Sequence, residues 1–300
     1  MMNMPSKLNL PSYKEQSQQV KARLDEVKSQ PIVIEVDKLV KEFPSEDGVR
    51  RILDQVSFKV HKREFLSIIG PSGCGKSTVI RMMACLEDIT DGLILVDGYP
   101  VSEPGADRGM VFQKYTLFPW LTVKKNIMFG LEVGGASKFD AERDALQWLD
   151  IVGLEPYADL YPAQLSGGMQ QRVAIARALA NKPKVLLMDE PFGALDAQTR
   201  AKMQAYLLQI WKKIDITIIF ITHDLDEAVY LSDRVLVLEA NPGRVQELVE
   251  VPVSRPRSPD QFLSPEFLTT KIHLEELIHP SAKETQDEFE VVKMVAREAD

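Results

Sequence analysis

Cysteine is scarce in this chain. Only Cys74 and Cys85 occur in 300 residues, which excludes a disulfide framework and fits a reducing compartment. No run approaches the roughly 18–20 apolar residues that cross a bilayer, and the polar amino terminus lacks a signal-peptide core. Work at a membrane therefore falls to a partner. Positive charge is also in deficit: 36 Lys and Arg against 44 Asp and Glu leave −8, so nucleic acid is not the expected partner. Internal repeats, sustained heptads and low-complexity tracts are missing too. What remains is a chain that is 45% hydrophobic and long enough to bury a large mixed α/β core, with about two domains as the length expectation.

Its most informative stretch is Gly70, Pro71, Ser72, Gly73, Cys74, Gly75, Lys76, Ser77 and Thr78, which fits G-x-x-x-x-G-K-[ST] and follows the apolar run from Phe65 to Ile69. A strand feeding a glycine-rich loop lets backbone N–H groups turn inward around phosphates, with Lys76 as a point charge and Ser77 free to hold Mg²⁺. From Thr78 to Leu86 there is no Gly or Pro, so a helix can begin here with its positive end towards the anion. Cys74, beside that helix start and Lys76, is expected to be a reactive thiol of lowered pKa. A second helix start follows at Leu165, Ser166, Gly167, Gly168 and Met169, with Ser166 as N-cap and two glycines that admit an oxyanion. Two such termini suggest one nucleotide gripped from two sides.

Three further strand-like runs end in chemistry. Lys184 to Met188 delivers Asp189 and Glu190, carboxylates suited to magnesium and to general-base work. Ile216 to Thr222 delivers His223 and Asp224, with Glu227 opening a helix. Gly109 to Phe112 ends at Gln113, and the following segment to Thr122 is rich in large apolar residues around Pro119. His61, His273 and His279 have no comparable context.

These motifs, in this order, resemble the ATPase subunit of ATP-binding-cassette proteins, with Met169 in place of the usual glutamine of the LSGGQ-like signature. The resemblance covers about residues 32–255. It implies an α/β fold: a P-loop NTPase core with a parallel sheet, an N-terminal antiparallel β subdomain and an inserted helical subdomain near residues 115–170. It implies ATP and Mg²⁺, with Asp189, Ser77 and Gln113 serving the metal, Glu190 as catalytic base, and His223 orienting water. It places Asp196 at a dimer seam and Ser166, Gly167 and Gly168 over the nucleotide of a second copy. Phe43 is expected to stack on adenine, the alternative being a plain edge-strand aromatic. Phe118, Trp120 and Leu121 either line a groove for a membrane subunit or fill the local core.

The strings Pro104 to Gln113, Leu117 to Leu121, Met188 to Asp196 and Asn241 to Arg244 are similar to the branch that serves nitrate, sulfonate, taurine and bicarbonate importers. That resemblance implies paired ATPase subunits, integral membrane permeases, an external substrate-binding protein, and a place on the cytoplasmic face of the cell membrane. The alternatives are a DNA-repair or translation-associated ATPase of the same superfamily, or an importer for an unrelated small solute. The short interval from Gln113 to Ser166 leaves no room for a long coiled coil, and there is only one cassette.

Residues 1–30 are expected to be an extension, either disordered or a short helix. Ser12 to Glu15 reads as its capping box, ahead of Val20, Leu24 and Val27. From Ile32 to Val101 short β segments should alternate with turns, and Pro44 to Gly48 reads as one of these. Ser137 should cap a helix stopped by Gly153, and Asn241 to Arg244 should join a hairpin. Pro252 to Pro259 marks the end of the ATPase domain at about residue 255. Residues 256–300 then form a helical extension that starts at Ser264 and presents Phe267, Leu268, Ile272 and Leu277, with a further loose helix in the last twenty residues.

Overall fold

The computed structural model describes residues 10–46, 48–114 and 116–279. Tyr115 of the apolar segment and the expected final helix lie outside the described residues.

Four strands form the scaffold of the site: β3 (Phe65–Ile69), β6 (Arg108–Val111), β7 (Val185–Asp189) and β8 (Thr217–Ile221). All run parallel in a sheet of order β10-β9-β3-β8-β7-β6, completed by an antiparallel hairpin of β9 (Arg234–Glu239) and β10 (Arg244–Glu250). Every residue of β3, β7 and β8 is buried, as expected of parallel strands covered on both faces. Alternation sorts their side chains. Phe65, Ile69, Leu186, Met188, Ile218 and Phe220 enter one core, while Leu66, Ile68, Val185, Leu187, Ile219 and Ile221 enter the other. Because the strands are parallel and in register, their carboxyl ends fall on one edge. Gly70, Gln113, Glu190 and His223 all follow directly from that edge, where open α/β sheets bind their ligands.

A second sheet, of order β2-β1-β4-β5, is antiparallel. Its strands β1 (Ile32–Ser45) and β2 (Gly48–His61) are 14 residues each, longer than the short segments the sequence suggests, and their pairing runs as far as Ser45 and Gly48. Register shifts after Val36 and Leu39 let one strand bend without ending, which the sequence pattern records only as breaks. The shorter β4 (Asp91–Val96) and β5 (Tyr99–Pro100) close this sheet. Between the sheets lies α2 (Lys76–Met83), whose Val79, Ile80, Met82 and Met83 fill the shared core.

The helical region has its own core, built by α3 (Val123–Val133), α4 (Lys138–Ile151) and α5 (Gly167–Ala180). Ser137 caps α4 by accepting from Asp140 N–H, and Gly153 follows the helix at φ +66°, as expected. On the other side of the main sheet pack α6 (Ala197–Lys213), α7 (Leu225–Leu231) and α8 (Pro265–Ile278).

The amino-terminal helix α1 (Gln18–Ser29) is capped by Ser17, whereas Ser12 to Glu15 closes a separate turn through the Ser12 carbonyl. It buries Val20, Leu24 and Val27. Contacts tie this segment to the carboxyl-terminal one: Tyr13 stacks on His273 at 3.7 Å, Gln19 donates to the Arg255 carbonyl, and Lys28 pairs with Glu250. On α8 the buried face is Phe267, Thr270 and Leu274, with Ile272 exposed, so the expected apolar side is rotated. Thr270 enters the core because its hydroxyl donates to the Glu266 carbonyl at 2.7 Å.

Candidate functional site

The phosphate loop folds as its glycines require. Gly70 sits at φ +153°, and a Cβ there would meet the Leu238 carbonyl oxygen at 2.4 Å, so no other residue fits. Gly75 ends the loop in the left-handed region, and α2 begins without any side-chain cap, which leaves its first N–H groups free for an anion. Lys76 is only 8% exposed, and its Nζ donates to the carbonyls of Gly70 at 2.8 Å and Pro71 at 3.0 Å, wrapping the loop around its own ammonium.

Ser77 Oγ donates to Asp189 Oδ1 at 2.9 Å, bringing together two of the three expected metal-side groups. Burial pushes the Asp189 carboxyl above its ordinary pKa, while Ser77, Arg81 and Lys76 act in the opposite sense. Hard oxygen donors of this kind suit magnesium, which needs few protein ligands when phosphates supply the rest.

Beside them stands Glu190, held at φ +44° in a region non-glycine residues rarely occupy. Its amide donates to the Ile221 carbonyl, fixing it against β8. Its Oε2 accepts from Gln113 Nε2 at 3.3 Å and lies 3.1 Å from His223 Nδ1. Two of the three predicted catalytic residues, Gln113 and His223, therefore converge on a carboxylate oxygen of the third. The His223 side chain is 65% exposed, so its ring faces solvent rather than core.

The other expected site residues stand apart from this cluster. Ser166 caps α5 by accepting from Met169 N–H, and a Cβ on Gly168 would lie 2.7 Å from Thr199 Cγ2. Among the described residues, no hydrogen bond joins Ser166, Gly167 or Gly168 to the phosphate loop. Asp196 caps α6; the Thr199 hydroxyl and nearby backbone N–H groups hold its carboxyl below the usual range. Phe43 lies half-buried near the end of β1, with the Lys41 ammonium 4.5 Å from its ring centroid.

A family model described as ABC transporter matches residues 53–193. An uncharacterized ABC transporter ATP-binding protein of Methanocaldococcus jannaschii is 53% identical over 236 residues, which span 78% of this chain and 88% of that protein. The chain belongs to the ABC transporter family. The nitrate import ATP-binding protein of Synechocystis sp. is 50% identical over 213 residues, 71% of this chain and 80% of that one. The aliphatic sulfonates import ATP-binding protein of Bacillus cereus is 43% identical over 227 residues, 76% and 89% of the two chains. A solved dimeric structure of an ATP-binding cassette, in a post-hydrolysis state bound to ADP and Pi, matches with a TM-score of 0.64 at 33% identity, covering 72% of this chain and 98% of that one. The fold is that of the ABC cassette, and the chain is an ATPase of this family rather than its membrane-spanning part. No helix of the described residues is long and apolar enough to cross a membrane.

One surface of this ABC cassette departs from an ordinary exterior. Phe118, Phe129, Phe112, Met110 and Arg177 line a groove of about 450 Å³ next to Gln113, and Trp120, 70% exposed, lies with its ring 5.6 Å from that of Phe118. Phe118 and Leu121 are half-buried, so the apolar segment divides between groove and core. Sequence reasoning missed the residue that holds it. Fully buried Asn126 accepts from Phe118 N–H at 2.8 Å and donates to the carbonyls of Phe118, Leu121 and Thr122. An asparagine one turn into an amphipathic helix, on its apolar face, is the signal that could have found it.

Cys74 corrects the sequence expectation. Its side chain is fully buried, and burial pushes the thiol up, against the opposing charge of Lys76.

Proposed function

We propose that this chain is the ATP-hydrolysing subunit of an importer for a small oxyanion of the nitrate, sulfonate or bicarbonate type. The observation that carries the ATPase chemistry is the convergence of Gln113 and His223 on Glu190 Oε2, beside the Ser77–Asp189 pair. Identity to the nitrate and sulfonate import proteins supports the cargo class.

Lys76 and the free N–H groups of α2 bind and orient the phosphates. Ser77, Asp189 and Gln113 would hold magnesium, which when bound supplies charge neutralisation on the phosphate oxygens. The Glu190 carboxylate takes a proton from the attacking water, while Gln113 and His223, both on Oε2, fix its direction and leave Oε1 open. The gain comes from positioning and charge stabilisation, since phosphoryl transfer asks for little covalent help. Phe43 stacks on the adenine.

Ser166, Gly167 and Gly168 close over the nucleotide of a second copy, and Asp196 lies at the seam between the two. The dimeric assembly of the related solved cassette supports this arrangement. The groove beside Gln113 receives a permease segment, which places the protein at the cytoplasmic face of the membrane with an external binding protein as an indirect partner. We divide the chain into an extension over residues 1–30, the cassette over 31–255 and a second extension over 256–300.

The test is to purify the tagged chain from detergent-solubilised membranes with ATP and vanadate and to identify its companions by mass spectrometry. A multi-span permease is the expected result. Recovery of soluble or nucleic-acid-associated partners alone would overturn the transport reading.

A further inference from the structure

Directly behind His223 lies a polar cluster that is almost closed to solvent. Thr222 is 2% exposed, Glu227 5% and Gln204 7%. The Glu227 carboxylate accepts from Thr222 Oγ1 at 2.6 Å and from Gln204 Nε2 at 2.9 Å. Thr222 Oγ1 also accepts from Asp224 N–H at 3.0 Å, so the hydroxyl is used in both directions. Asp224 Oδ1 in turn accepts from the N–H groups of Asp226 and Glu227, capping α7. The residues on either side of His223 are thereby tied down.

One side chain reaches out of this cluster. Arg200, in the first turns of α6, donates from Nη1 to Asp224 Oδ2 at 3.2 Å and from Nη2 to the Leu195 carbonyl at 3.1 Å. Its Nε lies 4.0 Å from Glu227 Oε1. Leu195 precedes the α6 cap Asp196 and belongs to a run of turns that leads back to the base: Leu195 N–H donates to the Phe192 carbonyl, and Gly193 N–H donates to the Glu190 carbonyl. The path closes on itself. From Glu190 it runs through the turn to Leu195, across Arg200 to Asp224, and through His223 back to Glu190 Oε2.

The caps of both helices are satisfied without Arg200, since Asp196 serves α6 and Asp224 serves α7. Its fork therefore links two turns rather than completing either helix. A planar guanidinium can hold two acceptors at a fixed angle, which an ammonium on a flexible stem cannot.

We propose that Arg200 is a positioning residue for hydrolysis: it sets the turn bearing Asp196 against the turn bearing His223, and so fixes the His223–Glu190 contact. Movement of Asp196 is thereby transmitted to His223. The inference rests on the ATPase reading above.

The experiment compares the full-length chain with Arg200→Ala, Arg200→Lys and Asp224→Asn, measuring kcat, KM for ATP, equilibrium nucleotide binding and melting temperature. Asp224→Asn retains a capping oxygen while removing the charge that faces Arg200. Arg200→Ala and Asp224→Asn should each lower kcat about tenfold or more with little change in nucleotide affinity, and Arg200→Lys should recover only part of the loss. The deciding readout is a double-mutant cycle. With His223→Ala already present, adding Arg200→Ala should cost less than about threefold, because its route through the histidine is gone. Full additivity in that cycle, or an unchanged kcat in both single variants, overturns the proposal. Should Arg200→Ala not fold, the same cycle run with Asp224→Asn decides. An unsubstituted chain that binds ATP without hydrolysing it overturns the ATPase reading and this inference together, whereas an active one with indifferent variants overturns the inference alone.

Discussion

His223 and Glu190 meet at 3.1 Å between Nδ1 and Oε2, though they are 33 residues apart and leave from neighbouring parallel strands. The contact leaves Oε1 of the carboxylate outside the pair, so the histidine steadies the carboxylate without covering it. The division of labour that follows is open to direct measurement.

Glu190→Gln should retain ATP binding and lose hydrolysis by about 100-fold or more, the usual worth of a general base. Phosphate release and equilibrium nucleotide binding on the same preparation separate the two effects. Rapid turnover by this variant would place proton acceptance elsewhere.

Lys76→Ala should weaken nucleotide binding itself. The ammonium holds the Gly70 and Pro71 carbonyls, and in the proposed reading it is the charge that meets the phosphates. Calorimetric titration with ATP checks this, and an unchanged affinity would remove Lys76 from phosphate binding.

Alkylation should reach Cys85 before Cys74. Cys74 is fully buried, whereas Cys85 is only partly so, and both thiols are pushed up by burial. A time course with iodoacetamide, read by mass spectrometry, should show Cys74 labelled only as the chain unfolds. Early labelling of Cys74 would mean that the loop opens readily.

Asp233 should set part of the acid limb of stability. Burial disfavours its charge, yet the Arg255 and Arg23 guanidinia and the Phe65 N–H hold its carboxyl below the usual range. A depressed folded-state pKa contributes stability that is complete above the unfolded value of about 3.9 and is lost as pH falls below it. This contribution should therefore leave denaturation midpoints unchanged from pH 7 to about 5 and lower them for the natural chain only below about pH 4. Asp233→Asn should be weaker at neutral pH and flatter in acid.

Deleting residues 1–29 should lower the melting temperature. Val20, Leu24 and Val27 are each buried, and full burial of such side chains is worth about 1.5–3 kcal/mol apiece. At about 2–4 °C per kcal/mol for a domain of this size, the loss is easily resolved by a thermal melt. An unaltered melt would mean that α1 is not docked in solution.

Features set by local chemistry were readable before any coordinates. The loop from Gly70 to Thr78, the caps Ser137 and Ser166, and the all-buried strands β3, β7 and β8 depend on neighbours in sequence. Features settled across the fold were not. Arg200, Gln204 and Glu227 look like ordinary helix-surface residues until α6 and α7 meet. At Cys74 the sequence shows the nearby Lys76 and helix start but not the burial, and burial outweighs them. Ser12 and Ser17 both offer capping hydroxyls, and Ser17 is the one that starts α1. On α8 the hydropathy of Ile272 exceeded that of Thr270, yet the threonine could satisfy its hydroxyl within its own helix and the face turned accordingly.

The self-wrapped loop around Lys76 makes nucleotide capture an exchange of partners. The ammonium leaves two neutral carbonyls only when a ligand offers oxygens of greater negative charge within the same reach. In the proposed role of Lys76, selection by this loop weighs anionic oxygens, through a cation already committed elsewhere, more than the outline of the base or the sugar.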